Sequence, residues 1–317
     1  MSPESRNNSI PKGTKILYER KNHLHIRSRM TQIIRAFFIE RGFLEVETPQ
    51  IVNETPPEVH IDPIPVGDKL LNTSPELCMK RLLSAGYKKI FQITKCFRNG
   101  ERGSLHLPEF TLLEWYHAGI DYSALMDESE ALFSSVANGL ESGGEISYQG
   151  RIIDFMAQWK RITIDEAFDR YASLDIAEAL RKDIFNRIMV EEIEPNLGLD
   201  GPVFIYDFPK ALAALSRLKP ENNEYAERFE IYIAGIELAN GFSELNDPLE
   251  QEERFTYEQW QRKKRGKKVY PLPKKFLTSL EHMPEASGIA VGLDRLAMIF
   301  ADRSKIDDVV AFTPEEL

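Results

Sequence analysis

Residues 228–244, Arg-Phe-Glu-Ile-Tyr-Ile-Ala-Gly-Ile-Glu-Leu-Ala-Asn-Gly-Phe-Ser-Glu, read as buried β-strand, yet they carry three carboxylates. An unpaired carboxylate is costly to bury. Glu230, Glu237 and Glu244 therefore face cations, unless the segment is an edge strand with solvated acids. A two-residue turn at Ala234-Gly235 would set Ile233 opposite Ile236 and Tyr232 opposite Glu237, which puts Glu230 and Glu237 on one sheet face. Two adjacent hard oxygen ligands suit Mg²⁺ shared with a phosphate-bearing substrate. Asn240, Phe242 and Glu244 alternate and project together. The odd interval from Glu237 to Asn240 requires a kink, for which Gly241 is the nearby candidate.

Charge and composition narrow the classes that can use such a site. With 40 Lys and Arg against 50 Asp and Glu, the 317-residue chain has a net charge of −10, which argues against a surface built mainly for nucleic acid. A local basic patch is still allowed. No apolar run approaches membrane-spanning length, and Met1 to Lys15 is polar with no signal-peptide core, so the expected location is cytoplasmic. Cys78 and Cys96, the only cysteines, lack metal-ligand spacing and read as buried thiols in a reducing compartment.

Apolar positions Ile26, Met30, Ile33, Ile34, Phe37 and Phe38 recur at helical spacing over residues 22–41, with Gly42 as the stop. Phe43 to Thr48 then alternates as a strand. Ser74, followed by Pro75, opens a short helix to Ser84. Strands are expected at 89–98, 108–116, 203–207, 228–244 and 288–291, and a hairpin at 145–155. Helices are expected at 122–138, 163–171, 176–193, 248–264, 274–282 and from Leu293. Clustered strands with helices outside them indicate an α+β fold with a mainly antiparallel sheet.

Two further segments carry chemistry. Arg98 stands at the mouth of the loop Phe-Arg-Asn-Gly-Glu-Arg-Gly-Ser-Leu-His, where an arginine can grip a phosphate bidentately. On the return strand Phe110, Leu112, Glu114 and Tyr116 share a face, a floor suited to a base and an amine. A sheet face covered by a helix is the alternative, and it leaves Glu114 unexplained. Gly288 to Val291 is a small-residue strand that lets a ligand approach closely, and Arg295 in the next helix adds positive potential.

Taken together, these segments resemble the class II aminoacyl-tRNA synthetases. Residues 33–52, with Glu45-Val46-Glu47-Thr48-Pro49, resemble motif 1 of that family; Phe97-Arg98 through Tyr116 resembles motif 2, and Gly288 to Leu296 resembles motif 3. Ser74-Pro75-Glu76 and Gly235 to Glu244 resemble the lysyl subgroup. The resemblance spans about residues 22–312. It implies a class II synthetase-like catalytic domain over 22–317 after an extension over 1–21. No anticodon-binding domain fits ahead of motif 1, so the chain is similar to truncated paralogues of that subgroup that join a β-lysyl group to a lysine of translation elongation factor P. Ser74 and Ala290 stand where those paralogues carry Ser and Ala, and where the tRNA enzymes tend to carry Ala and Gly.

The resemblance also implies roles. Arg98, His106, Phe110 and Arg295 would hold ATP, with Arg98 at the α-phosphate, His106 and Arg295 near the γ-phosphate and Phe110 on adenine; Arg98 and Arg295 would be catalytic. Glu230 and Glu237 match metal-binding acids, with Glu237 also at the nucleotide. Glu76, Glu114, Tyr116, Asn240, Phe242 and Glu244 match the amino-acid pocket, with Glu76 and Glu244 nearest the side-chain amine. In the loop, Gly100 stands where the family usually has Glu, Glu101 is the substitute, and Leu107 stands where the family commonly has Asn.

The implied chemistry is adenylation of (R)-β-lysine or lysine with ATP and Mg²⁺, then transfer to a lysine of elongation factor P. A carboxylate needs no base to attack phosphorus; the second step needs one, and the sequence names none. Two alternatives stand: an enzyme that charges a tRNA acceptor stem, and a non-catalytic synthetase-like regulator, against which Arg98, Glu230, Glu237 and Arg295 all argue. The basic run Arg262-Lys263-Lys264-Arg265-Gly266-Lys267-Lys268 reads as a solvated loop or as a dock for an acidic partner. His23, His25, His60, His117 and His282 lack ligand spacing. The apolar face of residues 26–38, read as exposed, implies a homodimer.

Overall fold

The computed structural model describes residues 12–140 and 143–317; the expectations for residues 1–11 lie outside the described residues. The main sheet runs through β1 (Leu44–Glu45), β2 (Lys89–Phe97), β3 (Glu109–Ala118), β4 (Lys160–Thr163), β5 (Val203–Pro209), β6 (Asn222–Ile233), β7 (Ile236–Ser243) and β8 (Ala286–Gly292). Their order is β1-β2-β3-β8-β7-β6-β5-β4, with Leu218–Lys219 pairing with β6 off that path. Pairs from β2 to β5 are antiparallel, whereas β1 and β4 run parallel to β2 and β5. This is the expected α+β arrangement, with a parallel strand added at each end.

The β6–β7 hairpin forms as its sequence requires. Ala234 (φ 51°) and Gly235 (φ 77°) both take the left-handed conformation that a two-residue turn demands. Ile233 faces Ile236 and Tyr232 faces Glu237. The kink is elsewhere than expected. Ile231 pairs with Ala239, so Leu238 is the extra residue and the bulge sits there, while Gly241 is regularly paired with Phe229. The bulge returns Asn240 to the face of Glu230, which it directly opposes.

Register then writes two faces across the sheet. One row, Phe229, Gly241, Ile289, Trp115 and Phe91, lies in the main core. The helix Lys21–Glu40 covers it, with Phe38 stacked on Phe91 at 4.8 Å between ring centres. Met30, Ile34, Phe37 and Phe38 are all buried there, so the apolar face of residues 26–38 is not exposed and provides no surface for self-association. The other row, Glu230, Asn240, Ala290, Glu114 and Gln92, lies on the opposite face and becomes the site.

Three local expectations change. The strand expected over Phe43 to Thr48 pairs as a strand only at Leu44–Glu45, after which Val46 donates to Phe91 and Pro49 follows. The helix expected over 176–193 breaks after Ile176–Arg181, because Asp183 turns left-handed at φ 56°; Phe185–Ile188 and a π-helical turn at Met189–Ile193 complete the segment. Cys96 is buried, but Cys78 is only partly so.

The basic run is solvated only in part. The helix Pro248–Lys264 contains its first residues, and Arg262 is fully buried. Its guanidinium donates to the carbonyls of Glu58, Ile61 and Lys268 and pairs with Asp62. Lys267 Nζ donates to Val59 O (2.9 Å) and Asp62 Oδ2 (3.0 Å), and Arg265 pairs with Asp183. Arg262 and Lys267 strap residues 58–62 over the site.

Candidate active site

A cavity of about 1440 Å³ opens over the second face of the sheet. Nearly all the residues picked out by sequence meet in it: Ser74, Glu76, Arg98, Glu101, His106, Phe110, Glu114, Tyr116, Glu237, Asn240, Phe242, Ala290 and Arg295 line its wall. Glu230 and Glu244 stand at its edge through hydrogen-bonded or ion-paired neighbours rather than on the wall itself. Gly288 must be glycine, since a Cβ there would meet the Tyr116 ring at 2.3 Å and Glu244 Oε1 at 2.5 Å.

At one end three carboxylates converge. Ser74 Oγ donates to Glu114 Oε1 at 2.6 Å and accepts from the Glu76 backbone N–H at 3.0 Å, tying strand β3 to the start of helix Glu76–Ser84. Tyr116 OH donates to Glu114 Oε2 at 2.9 Å. Desolvation raises the Glu114 carboxyl to about 8, with Glu76 adding repulsion; it also raises Glu244 to about 8, against the pull of Lys80. Sequence reasoning missed Lys80. Its Nζ is fully buried, 2.6 Å from Glu76 Oε1 and 2.5 Å from Glu244 Oε2, where the two carboxylates hold it protonated despite burial. The spacing of Glu76 and Lys80, one helical turn apart, is the signal that could have found it. Lys80 engages only Oε2 of Glu244, and among the described residues Oε1 of that buried carboxylate has no hydrogen-bond partner.

The other end is cationic. Arg98 leaves β2, and its backbone N–H closes the loop on Pro108 O at 2.9 Å. Its guanidinium lies 4.9 Å from the Phe110 ring centre, and its buried Nε has no hydrogen-bond partner among the described residues. Gly100 turns left-handed at φ 78°, and Glu101, not residue 100, faces the cavity with Oε2 3.9 Å from Arg98. Leu107 is buried. Arg295 is fixed by three acceptors: Leu105 O (3.2 Å), Glu237 O (2.7 Å) and His106 Nε2 (2.6 Å). Desolvation and then Arg295 lower the His106 pKa, so a neutral imidazole accepts from the guanidinium.

Between these ends lie the acids expected to hold metal. Glu230 receives Arg228 Nη2 and Tyr232 OH, each at 2.6 Å, and Glu237 Oε2 stands 3.7 Å from Arg295 Nη1. Burial raises Glu230 and Glu194 to about 7, and Glu237 adds repulsion to both. Sequence reasoning missed Arg228 and Glu194. No three His, Cys, Asp or Glu among the described residues form a complete metal cluster. A hard cation sharing its remaining oxygens with a phosphate fits that incomplete set.

Two comparisons bear on this site. The chain matches the family described as tRNA synthetases class II (D, K and N) over residues 17–316. It is 40% identical over 304 residues to a protein of Proteus mirabilis named elongation factor P–(R)-β-lysine ligase, covering 90% of this chain and 93% of the relative. Proteins of the same name from Haemophilus influenzae and Pectobacterium atrosepticum are each 39% identical over 307 residues, covering 92% and 91% of this chain and 94% of each relative.

Proposed function

We propose that this chain, which belongs to the class II tRNA synthetases of the D, K and N type, is an ATP-dependent ligase that activates (R)-β-lysine or lysine and transfers it to a lysine side chain of elongation factor P. The observation that carries the reading is the polarity of the cavity. Glu76, Glu114 and Glu244 sit at one end with a single ammonium among them, and Arg98 with an unpartnered buried Nε sits at the other. An amino acid with two ammonium groups and a triphosphate complement those ends. The names of the relatives supply the acceptor.

In the first step the amino-acid carboxylate attacks the α-phosphorus of ATP and pyrophosphate leaves. Arg98 holds the α-phosphate, Phe110 and Glu101 the adenine, and Arg295 with His106 the distal phosphates. Glu230 and Glu237 would hold Mg²⁺, which when bound neutralises charge on the phosphate oxygens. Asn240, Phe242, Ala290 and Tyr116 shape the amino-acid pocket around the carboxylates. The reaction takes place in the cytoplasm. Two copies of the chain pair, as the family resemblance implies.

Mass spectrometry of elongation factor P after incubation with the protein, ATP, Mg²⁺ and each lysine isomer tests the reading. An ATP-dependent adduct on one lysine is expected. Labelled amino acid appearing on tRNA, with none on elongation factor P, would overturn it.

A further inference from the structure

Transfer of an acyl group to a lysine requires the attacking ammonium to lose a proton, and the titratable groups assigned above have other roles: Glu76, Glu114 and Glu244 at the amine end, Glu230 and Glu237 at the metal, Glu101 at the adenine and His106 on Arg295. The strap over the cavity carries a different carboxylate. Glu58 lines the cavity, and among the described residues its carboxylate takes no hydrogen bond or ion pair. The backbone of Glu58 and Val59 is nonetheless held from neighbouring elements. Arg262 Nη1 donates to Glu58 O at 2.6 Å, Val59 N donates to Glu258 Oε2 at 2.8 Å, and Lys267 Nζ donates to Val59 O at 2.9 Å. Asn99 N donates to Asp62 O at 2.7 Å, so the strap is also tied to the loop that follows Arg98. A free carboxylate on a braced backbone suits a group that must meet a transient substrate.

Its surroundings say where that substrate is. Glu76, Arg98, Glu258 and Arg228 act electrostatically on Glu58. Glu58 lines the same cavity as Glu76 and Arg98, and that cavity holds the acyl–phosphate junction if the proposed function holds. The cavity wall also includes Glu253, Tyr257 and Gln261 of the helix Pro248–Lys264, a side to which no part of the amino acid or nucleotide is assigned. We propose that Glu58 is the catalytic base of the transfer step, receiving a proton from the acceptor lysine that enters along this side. Burial, with Glu76 adding repulsion, raises the carboxyl to about 7, where it exchanges protons readily at neutral pH.

The step balances. The acceptor ammonium gives one proton to the Glu58 carboxylate, and the freed lone pair forms the C–N bond to the acyl carbon. The acyl C–O bond breaks with its electron pair on the phosphate of AMP, and the second nitrogen proton leaves to that phosphate or to water.

Glu58→Gln separates this role from the adenylation it depends on. ATP–pyrophosphate exchange should stay within about twofold of the unsubstituted protein, because that step uses no base, while single-turnover transfer from preformed adenylate to the acceptor protein should fall about 100-fold or more. The unsubstituted transfer rate should rise with pH through an inflection near 7 that Glu58→Gln lacks. Hydroxylamine, a neutral amine at pH 7, should capture the acyl group at the same rate from both. Transfer that keeps its rate and inflection, or exchange and transfer that fall together, would overturn the role of Glu58. If the unsubstituted protein shows no lysine-dependent exchange at all, the adenylating function itself fails, and the base with it.

Discussion

Lys80 Nζ stands 2.5 Å from Glu244 Oε2 with both side chains fully buried, so the amine end of the cavity contains an ammonium of its own. One cation among Glu76, Glu114 and Glu244 leaves a deficit that a substrate with two ammonium groups can fill. Removing it by Lys80→Met should cost about 3–5 kcal/mol, the usual result of stranding buried charge. Urea denaturation at neutral pH measures this; a loss under about 1 kcal/mol would mean that the carboxylates are compensated in another way.

The same carboxylates give the site a pH signature. Glu114 and Glu244 are each raised to about 8, so the folded state holds protons that the unfolded chain releases near its ordinary carboxyl range. The unoccupied protein therefore loses stability from these groups as pH rises from about 5 to 8. A dicationic ligand needs them ionised, so the increase in Tm given by saturating lysine should be larger at pH 8 than at pH 6. Thermal melts at the two pH values check this, and a smaller increment at pH 8 would contradict it.

Arg262 and its lysine neighbours should behave oppositely. Arg262→Met removes one of the two cations on Asp62 and the donor to two strap carbonyls and Lys268 O, and should destabilise by about 3 kcal/mol or more, whereas Lys263→Ser and Lys264→Ser, both exposed, should each stay within about 0.5 kcal/mol. Denaturation of the three variants separates them, and equal effects would remove the strap from the account.

Much of this was legible in the chain. Period-two alternation and an Ala-Gly turn were enough to pair Tyr232 with Glu237, because a half-buried hairpin has one register that keeps its apolar side inward. The position of the bulge was not, since Leu238 and Gly241 both permit a kink locally and only the need to bring Asn240 beside Glu230 decides between them. The helical spacing of Ile26 to Phe38 was correctly read, but periodicity cannot say whether a stripe meets its own sheet or a partner's. Arg262 was lost inside a run of cations, where composition suggests solvent and only the strap explains burial. Glu58 was missed for a related reason, since only the cavity it lines marks it out, whereas Lys80 was within reach of its i, i+4 spacing from Glu76.

Glu237→Gln should raise the Mg²⁺ concentration for half-maximal ATP–pyrophosphate exchange about tenfold or more, a loss comparable with removing an outer-shell partner. Titration with Mg²⁺ at fixed ATP, together with Mn²⁺ binding followed by electron paramagnetic resonance, measures it. An unchanged titration and unchanged Mn²⁺ signal would remove Glu237 from the metal site.

The central claim is that one cavity holds an amino acid at its carboxylate end and ATP at its guanidinium end. Lysine-dependent ATP–pyrophosphate exchange, measured for the unsubstituted protein, Arg98→Ala and Glu244→Gln, tests it most directly. The account predicts exchange in the first, none in folded Arg98→Ala, and in Glu244→Gln a KM for the amino acid raised at least about tenfold with the KM for ATP unchanged. Exchange that survives in Arg98→Ala, or a Glu244→Gln defect that falls on ATP, would contradict it.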